Sequence, residues 1–370
     1  MATKNKITIL YEQSNAEYFA EISRTLEKSG WQIHGENLSA SSAVKRGGLA
    51  VWDMFWFKLV SSAFVSSLSE GLFNWVRKQF VRMRAKLALA NLRKFQPPII
   101  LATSYVSVLT AAYFKSRSFY RGKLVVALPG FDLNPLWVMR EVDLYVCGSE
   151  RQAELLRQRQ VDSSKIAMAK PDIHEEFRQV ISKDEALSKL GLLTTMPVVV
   201  MLSEVMGAEI LKESFLKLIR LSQSCQVAIF SGNDSDFRSK VEKITAPVRH
   251  PVKVFTDPKE LPLLFASAAV IIGPLTPNRL AEASAMRVPV IMTDPDLCVE
   301  PSAMRFLVEQ NAVGFGRIPA ETVFLAETVL EGRKISNLKS AADILVEPRN
   351  SMLFTDALAT INPSGPQPRA

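Results

Sequence analysis

Leu124-Val125-Val126-Ala127-Leu128-Pro129-Gly130 opens a stretch that continues through Phe131-Asp132-Leu133-Asn134-Pro135-Leu136-Trp137-Val138 to Val142-Asp143-Leu144-Tyr145-Val146-Cys147-Gly148-Ser149-Glu150. Leu124–Leu128 is continuously apolar rather than alternating, which predicts a strand buried on both faces, and Pro129-Gly130 ends it. Asn134-Pro135 pairs an N-cap side chain with a residue pre-set for a first helical turn, so a short helix is expected through Leu136, Trp137 and Val138. Asp143–Cys147 reads as a second strand. Ser149 is placed to cap the helix after it, with Glu150 and Glu154 at the positive end and Arg157 and Arg159 at the negative end. A third strand follows before Phe177. Strand and helix in alternation predict an α/β fold around parallel strands.

The residues themselves carry a resemblance. Phe131-Asp132-Leu133-Asn134-Pro135-Leu136-Trp137-Val138 and Val142–Glu150 resemble the D-x-x-H-P-x-W-V and V-D-x-Y-x-V-x-S-E runs of the monogalactosyldiacylglycerol synthases and processive diacylglycerol glucosyltransferases. Their closing G-I-P-V-x-x-x-F turn corresponds to Lys170-Pro171-Asp172-Ile173-His174-Glu175-Glu176-Phe177, which keeps the proline and phenylalanine but not the glycine. The resemblance covers most of Ile7 to about Leu345. It implies the GT-B arrangement, two Rossmann-like domains facing across a cleft, with acceptor and membrane on residues 1–182 and a nucleotide-sugar donor on residues 190–346. The Pro-rich end, residues 362–370, reads as a disordered tail.

Outward toward the N-terminus, Pro97-Pro98 precedes the strand Ile99–Thr103 and a helix from Ser104 to Lys115, while Ile7–Tyr11 and Ser14–Ser29 read as strand and helix. The family has a G-G-x-G-H-like turn there, and its histidine, a candidate base, falls at or near Glu17. A glutamate raised in pKa by burial accepts a proton from a lipid hydroxyl. The alternative role for Glu17 is to stabilise the helix dipole from its first turn.

Between these segments lies the most unusual composition in the chain. Trp52, Phe55, Trp56, Phe57, Phe64, Phe73, Trp75 and Phe80 crowd it, and after Glu70 no acid interrupts Arg77, Lys78, Arg82, Arg84, Lys86, Arg93 and Lys94. Leu72, Val76, Phe80, Met83 and Leu87 make one helical stripe, and the cations lie off it. An interfacial helix has this form, its apolar face in the acyl boundary and its cations on lipid phosphates. The other reading is a helix packed on the first sheet with a solvated basic face. With the resemblance, Trp52, Trp56, Trp75, Arg77, Lys78, Arg82, Arg84, Asn134 and Trp137 become the expected acceptor and membrane surface.

The 370 residues, 48% of them hydrophobic, suffice for two full cores. A net charge of +8 and a pI near 9.3 suit an anionic partner. Nothing in the chain resembles a nucleic-acid-binding signature, so no nucleic acid is expected. Met1–Lys6 leads directly into the first strand without a stretch of signal-peptide length, and no uninterrupted apolar run is long enough to span a bilayer. Three cysteines form no disulfide framework and favour a reducing compartment. His34, His174 and His250 are far apart, the cysteines lack metal spacing, and there is no P-loop, nucleophile elbow or H-E-x-x-H.

The boundary is expected between Arg178 and Met196. Strands then read at Val198–Leu202, Gln226–Ser231, Val252–Phe255, Val270–Gly273 and Val288–Met292, with helices about Glu209–Leu221, Phe237–Ile244, Lys259–Ala266 and from Asn278. Gln226–Ser231 with Gly232-Asn233 resembles the family's Q-x-x-V-x-x-G-x-N, and Phe255-Thr256-Asp257 its G-F/Y-T-D. Where the family has K-P-G-G-x-T-x-x-E-A, the chain has Gly273-Pro274-Leu275-Thr276-Pro277-Asn278-Arg279-Leu280-Ala281-Glu282-Ala283, with one extra residue between the matched proline and glutamate. Ser203-Glu204-Val205-Met206-Gly207 keeps one glycine of a glycine-rich loop, and Val299-Glu300-x-x-Ala303 stands for Q-E-x-x-N.

The resemblance implies Gly207, Glu282 and Glu300 as donor-site residues, and Thr276, Asn278 and Arg279 are read from their chemistry as partial substitutes for the lost glycines. Thr276 or Asn278 is to cap the helix, Arg279 to meet a phosphate, and Glu282 to accept hydrogen bonds from the donor ribose. Glu282 also reads as a solvated helix-face carboxylate. The implied activity is hexose transfer from a nucleotide sugar, UDP-linked in the family's manner, to diacylglycerol or a similar lipid, by a peripheral protein on the cytoplasmic face of a membrane. It calls for no cofactor or metal. The altered glycine loops leave a catalytically silent relative and a nucleotide-sugar epimerase of the same fold as alternatives.

Overall fold

The computed structural model describes residues 6–11, 16–38, 92, 95, 97–128, 130, 131, 133, 137–169, 173–204, 208–221, 223–232, 238, 239, 241, 243, 250–297, 299, 301–346 and 351–361, apart from the side chains of residues 16–18, 21 and 301. The first sheet takes β1 (Lys6–Tyr11), β2 (Gln32–Asn37), β3 (Ile99–Ala102), β4 (Lys123–Ala127), β5 (Leu144–Cys147) and β6 (Ile166–Met168). Its spatial order is β2-β1-β3-β4-β5-β6, and every pairing is parallel. Parallel neighbours need crossovers, supplied by α1 (Ala16–Lys28), α2 (Tyr105–Ser116) and α3 (Glu150–Gln158) among others.

The helix starts follow from the sequence. Ser104 accepts a hydrogen bond from the Ser107 N–H while Ser107 Oγ accepts from the Ser104 N–H, a reciprocal cap on α2. Ser149 Oγ accepts from the Gln152 N–H at the start of α3, as its position before Glu150 predicts. Asp143 fixes the lower end of β5. Its carboxylate accepts from the Leu124 N–H at 2.7 Å and pairs with Lys115 and Lys123. Burial works against that carboxylate's charge, but the Lys115 ammonium and the Leu124 N–H outweigh it and hold its pKa below the ordinary value.

After α4 (Lys183–Leu190), which Gly191 ends in the left-handed conformation at φ 62°, the second sheet begins. It contains β7 (Val198–Leu202), β8 (Gln226–Phe230), β9 (Val252–Phe255), β10 (Ala268–Gly273), β11 (Val290–Met292) and β12 (Gly314–Phe315). The order is β12-β11-β10-β7-β8-β9, again all parallel. Its helices are α5 (Glu209–Leu218), α6 (Leu261–Ser267), α7 (Pro277–Ala285), α8 (Pro301–Glu309), α9 (Pro319–Leu330) and α10 (Leu338–Leu345). The expected helix about Phe237–Ile244 lies largely outside the described residues.

Each sheet is covered on both faces by apolar side chains. Ile7, Ile9 and Val125 face one cluster and Leu10, Ile100 and Val126 another. Val198, Val200 and Leu202 similarly divide from Val199 and Met201. The chain then returns: Met352 bridges Ala169 beside β6, and α11 (Phe354–Ala359) buries Ala357 and Leu358 in the first half's core. Residues 351–361 therefore pack with the first sheet, a return that the sequence pattern does not announce. No described helix is long and apolar enough to cross a membrane.

Candidate functional site

Both sheets reverse direction of growth once. In the first the switch lies between β1 and β3, and in the second between β7 and β10. Crevices outside the carboxyl ends of strands at such points are where open α/β sheets bind ligands. The loop after β7 carries Glu204, and β10 ends in Gly273 before a loop to Thr276, so the start of α7 with Thr276, Asn278 and Arg279 stands at the second switch.

Thr276, Asn278, Arg279 and Glu282 are brought together at the start of α7. The Thr276 side chain caps the helix by accepting from the Arg279 N–H, and Pro277 takes the first helical position, where its missing N–H costs no hydrogen bond. Asn278 is half-buried on the same turn. Glu282, three residues beyond Arg279, is only 3% exposed, so it is a buried carboxylate rather than a solvated helix-face acid. Its Oε2 accepts from Arg279 Nη1 at 2.6 Å.

Arg279 is also held from across the switch point. Its Nε and Nη2 each donate to the Glu204 carboxylate at 2.9 Å, a two-bond fork between residues 75 apart in the chain. Burial disfavours the guanidinium charge, but Glu204 and Glu282 more than offset it and raise the Arg279 pKa above its already high ordinary value. Sequence spacing places Arg279 at the helix start but gives no partner for it. The signal for Glu204 was an acid in a loop where the resembled family has glycine.

The remaining glycines explain how the loops approach. A Cβ on Gly273 would lie 2.4 Å from the Leu202 carbonyl oxygen, so only glycine lets the end of β10 pass the end of β7. Gly232 has φ 46°, and a Cβ there would lie 3.4 Å from the Cα of Glu204. The Glu204 backbone thus rests against the loop after β8. A second device is also absent from the sequence reading. Ala208 gives α5 no side-chain cap, and Asp294, at φ 45°, accepts instead from the Ile210 N–H at 3.1 Å and the Leu211 N–H at 3.2 Å.

From the first half, Phe131 reaches the apolar cluster that contains Leu275 and Leu280, and Ser149 Oγ donates to the Phe131 carbonyl at 2.9 Å. Arg151 on α3 lies over the Phe306 ring of α8 at 4.9 Å. Trp137 packs partly buried against the first core, and its carbonyl accepts from the buried Tyr145 hydroxyl. Glu17 falls in the first turn of α1, just beyond the carboxyl end of β1, and its side chain is outside the described set. Gly207, Glu300, Asn134, Trp52, Trp56, Trp75, Arg77, Lys78, Arg82 and Arg84 also lie outside the described residues.

No family model matches the chain. Over 288 residues it is 22% identical to the processive diacylglycerol β-glucosyltransferase of Bacillus cytotoxicus, covering 76% of this chain and 72% of the relative. Among solved structures, MurG of Acinetobacter baumannii superposes with a TM-score of 0.61 at 10% identity, over 97% of this chain and 98% of that one. A UDP-GlcNAc 2-epimerase from Neisseria meningitidis, bound to UDP-GlcNAc, superposes with a TM-score of 0.59 at 11% identity, over 97% and 99% of the two chains. The chain is thus an α/β protein of the GT-B fold, similar in sequence to processive diacylglycerol β-glucosyltransferases over three quarters of its length.

Proposed function

We propose that this protein is a peripheral membrane glycosyltransferase that moves a hexose from a nucleotide sugar, UDP-linked, to the hydroxyl of diacylglycerol or a similar lipid on the cytoplasmic face of a membrane. The observation that carries this reading is the buried Glu282 beside Arg279 at the first turn of α7, on the second sheet's switch point. The sequence similarity to diacylglycerol β-glucosyltransferases, which runs through both halves, supports the substrate class.

In this mechanism the ribose hydroxyls donate to Glu282, and the diphosphate lies at the start of α7, where backbone N–H groups and the helix dipole favour an anion. The bond from the anomeric carbon to the phosphate oxygen breaks as the lipid oxygen forms its bond to that carbon. The lipid hydroxyl proton passes to Glu17, and the charge left on the nucleotide is stabilised by α7 and Arg279. The aromatic and basic segment of residues 50–95 holds the acceptor half on anionic lipid.

The test is incubation with vesicles of diacylglycerol and anionic lipid and with labelled UDP-glucose and UDP-galactose. Labelled glycolipid is expected. Glu17→Gln should still bind UDP but lose transfer by roughly 10²–10⁴-fold, the usual size of a general-base contribution. Absence of labelled lipid from every donor, or full transfer by Glu17→Gln, would contradict the mechanism. A catalytically silent relative is the second reading, and the fork that Glu204 makes on Arg279 is the observation favouring it.

A further inference from the structure

Arg279 is the one cation that the first turn of α7 offers to a diphosphate, and three of its N–H donors are committed elsewhere. The Nε and Nη2 edge is filled by Glu204 and Nη1 by Glu282, at 2.9, 2.9 and 2.6 Å. An anion arriving there finds the Nε and Nη2 edge already held by a carboxylate. Neither Glu204 nor Arg279 is deeply buried, with side chains 27% and 22% exposed, so their fork can open toward solvent, whereas Glu282 is enclosed.

We propose that Glu204 is an affinity-determining gate on the phosphate side of the donor site: its fork with Arg279 must open before a nucleoside diphosphate is held there. This inference rests on the donor-site reading above. Its consequence is that Glu204 lowers donor affinity in the resting protein, and that a bound diphosphate replaces the carboxylate on the same guanidinium edge. Glu282 keeps its bond to Nη1 through the exchange and holds the side chain in position.

The experiment is calorimetric titration of UDP into the full-length wild type, Glu204→Gln and a control, Glu209→Gln. Glu209 is a mostly exposed acid five residues further on, at the start of α5, which pairs with Lys212 rather than Arg279. Thermal melting of each variant checks that it is folded. The gate predicts UDP binding at least about tenfold tighter in Glu204→Gln and within about twofold of wild type in Glu209→Gln. UDP binding to wild type with no gain, or a loss, in Glu204→Gln would overturn the gate while leaving the donor site standing. An equal gain in both variants would show general charge repulsion and overturn it too. Failure of wild type and folded Glu204→Gln alike to bind UDP at millimolar concentration would overturn both the gate and the donor-site reading.

Discussion

Asp294 caps a helix from far along the chain: its carboxylate accepts from the N–H groups of Ile210, 84 residues earlier, and Leu211 of α5 at 3.1 and 3.2 Å. The end of β11 is thereby tied to the first turn of α5, the helix that follows the loop carrying Glu204.

Because Ala208 supplies no cap, Asp294 is the acceptor for two otherwise unpaired donors. Asp294→Ala should cost about 1–3 kcal/mol, from the lost charge-assisted bonds and from a left-handed backbone that alanine tolerates less well. Asp294→Asn should cost less. Denaturant unfolding of the variants checks this, and an Asp294→Ala variant as stable as wild type would contradict the capping role.

Asp143 gives a pH signature. Its folded pKa is depressed, so its contribution is complete above the unfolded carboxylate value near 4 and is lost as pH falls through the lower folded value. Asp143→Asn should therefore be less stable than wild type at pH 7, by about 1–2 kcal/mol. The gap should narrow as pH falls below about 4. Denaturant midpoints at pH 7 and pH 3 measure it, and a gap that widens toward acid would contradict the assignment.

Much of the fold was legible from side-chain pattern. Val198–Leu202 has the bounds expected of it, because an inner parallel strand reads as a short apolar run between turn residues. Val252–Phe255 does too, although it is the sheet's edge strand, because valine and phenylalanine alternate with a lysine between turn residues. Gln32–Asn37 was not read as a strand: Gln-Ile-His-Gly-Glu-Asn lies on the sheet edge, half-exposed, and carries no alternation. β12 has two residues, too few for any period. At the site, Thr276, Arg279 and Glu282 were legible together because they share one helix turn or the next. Glu204 and Asp294 were not, since their partners lie 75 and 84 residues away and the pairing depends on the sheet order.

The basic segment makes a separate prediction about membranes. Replacing Arg77, Lys78, Arg82 and Arg84 by glutamate should release the protein from anionic vesicles, at roughly 1 kcal/mol for each cation near the surface. Sedimentation with vesicles of anionic and of neutral lipid at physiological salt measures this. Unchanged co-sedimentation would remove these residues from the membrane surface.

The central claim is that a nucleotide is held at the first turn of α7 by the buried Glu282. It is tested most directly by the UDP-dependent melting shift of wild type and Glu282→Ala, because a ligand selective for the folded state stabilises it by mass action. Wild type should melt higher with UDP. Glu282→Ala should lose about 1.5–3 kcal/mol of UDP affinity, since the ribose hydroxyls lose a charged acceptor. A wild-type protein unmoved by millimolar UDP, or a folded Glu282→Ala variant that shifts as far as wild type, would contradict it.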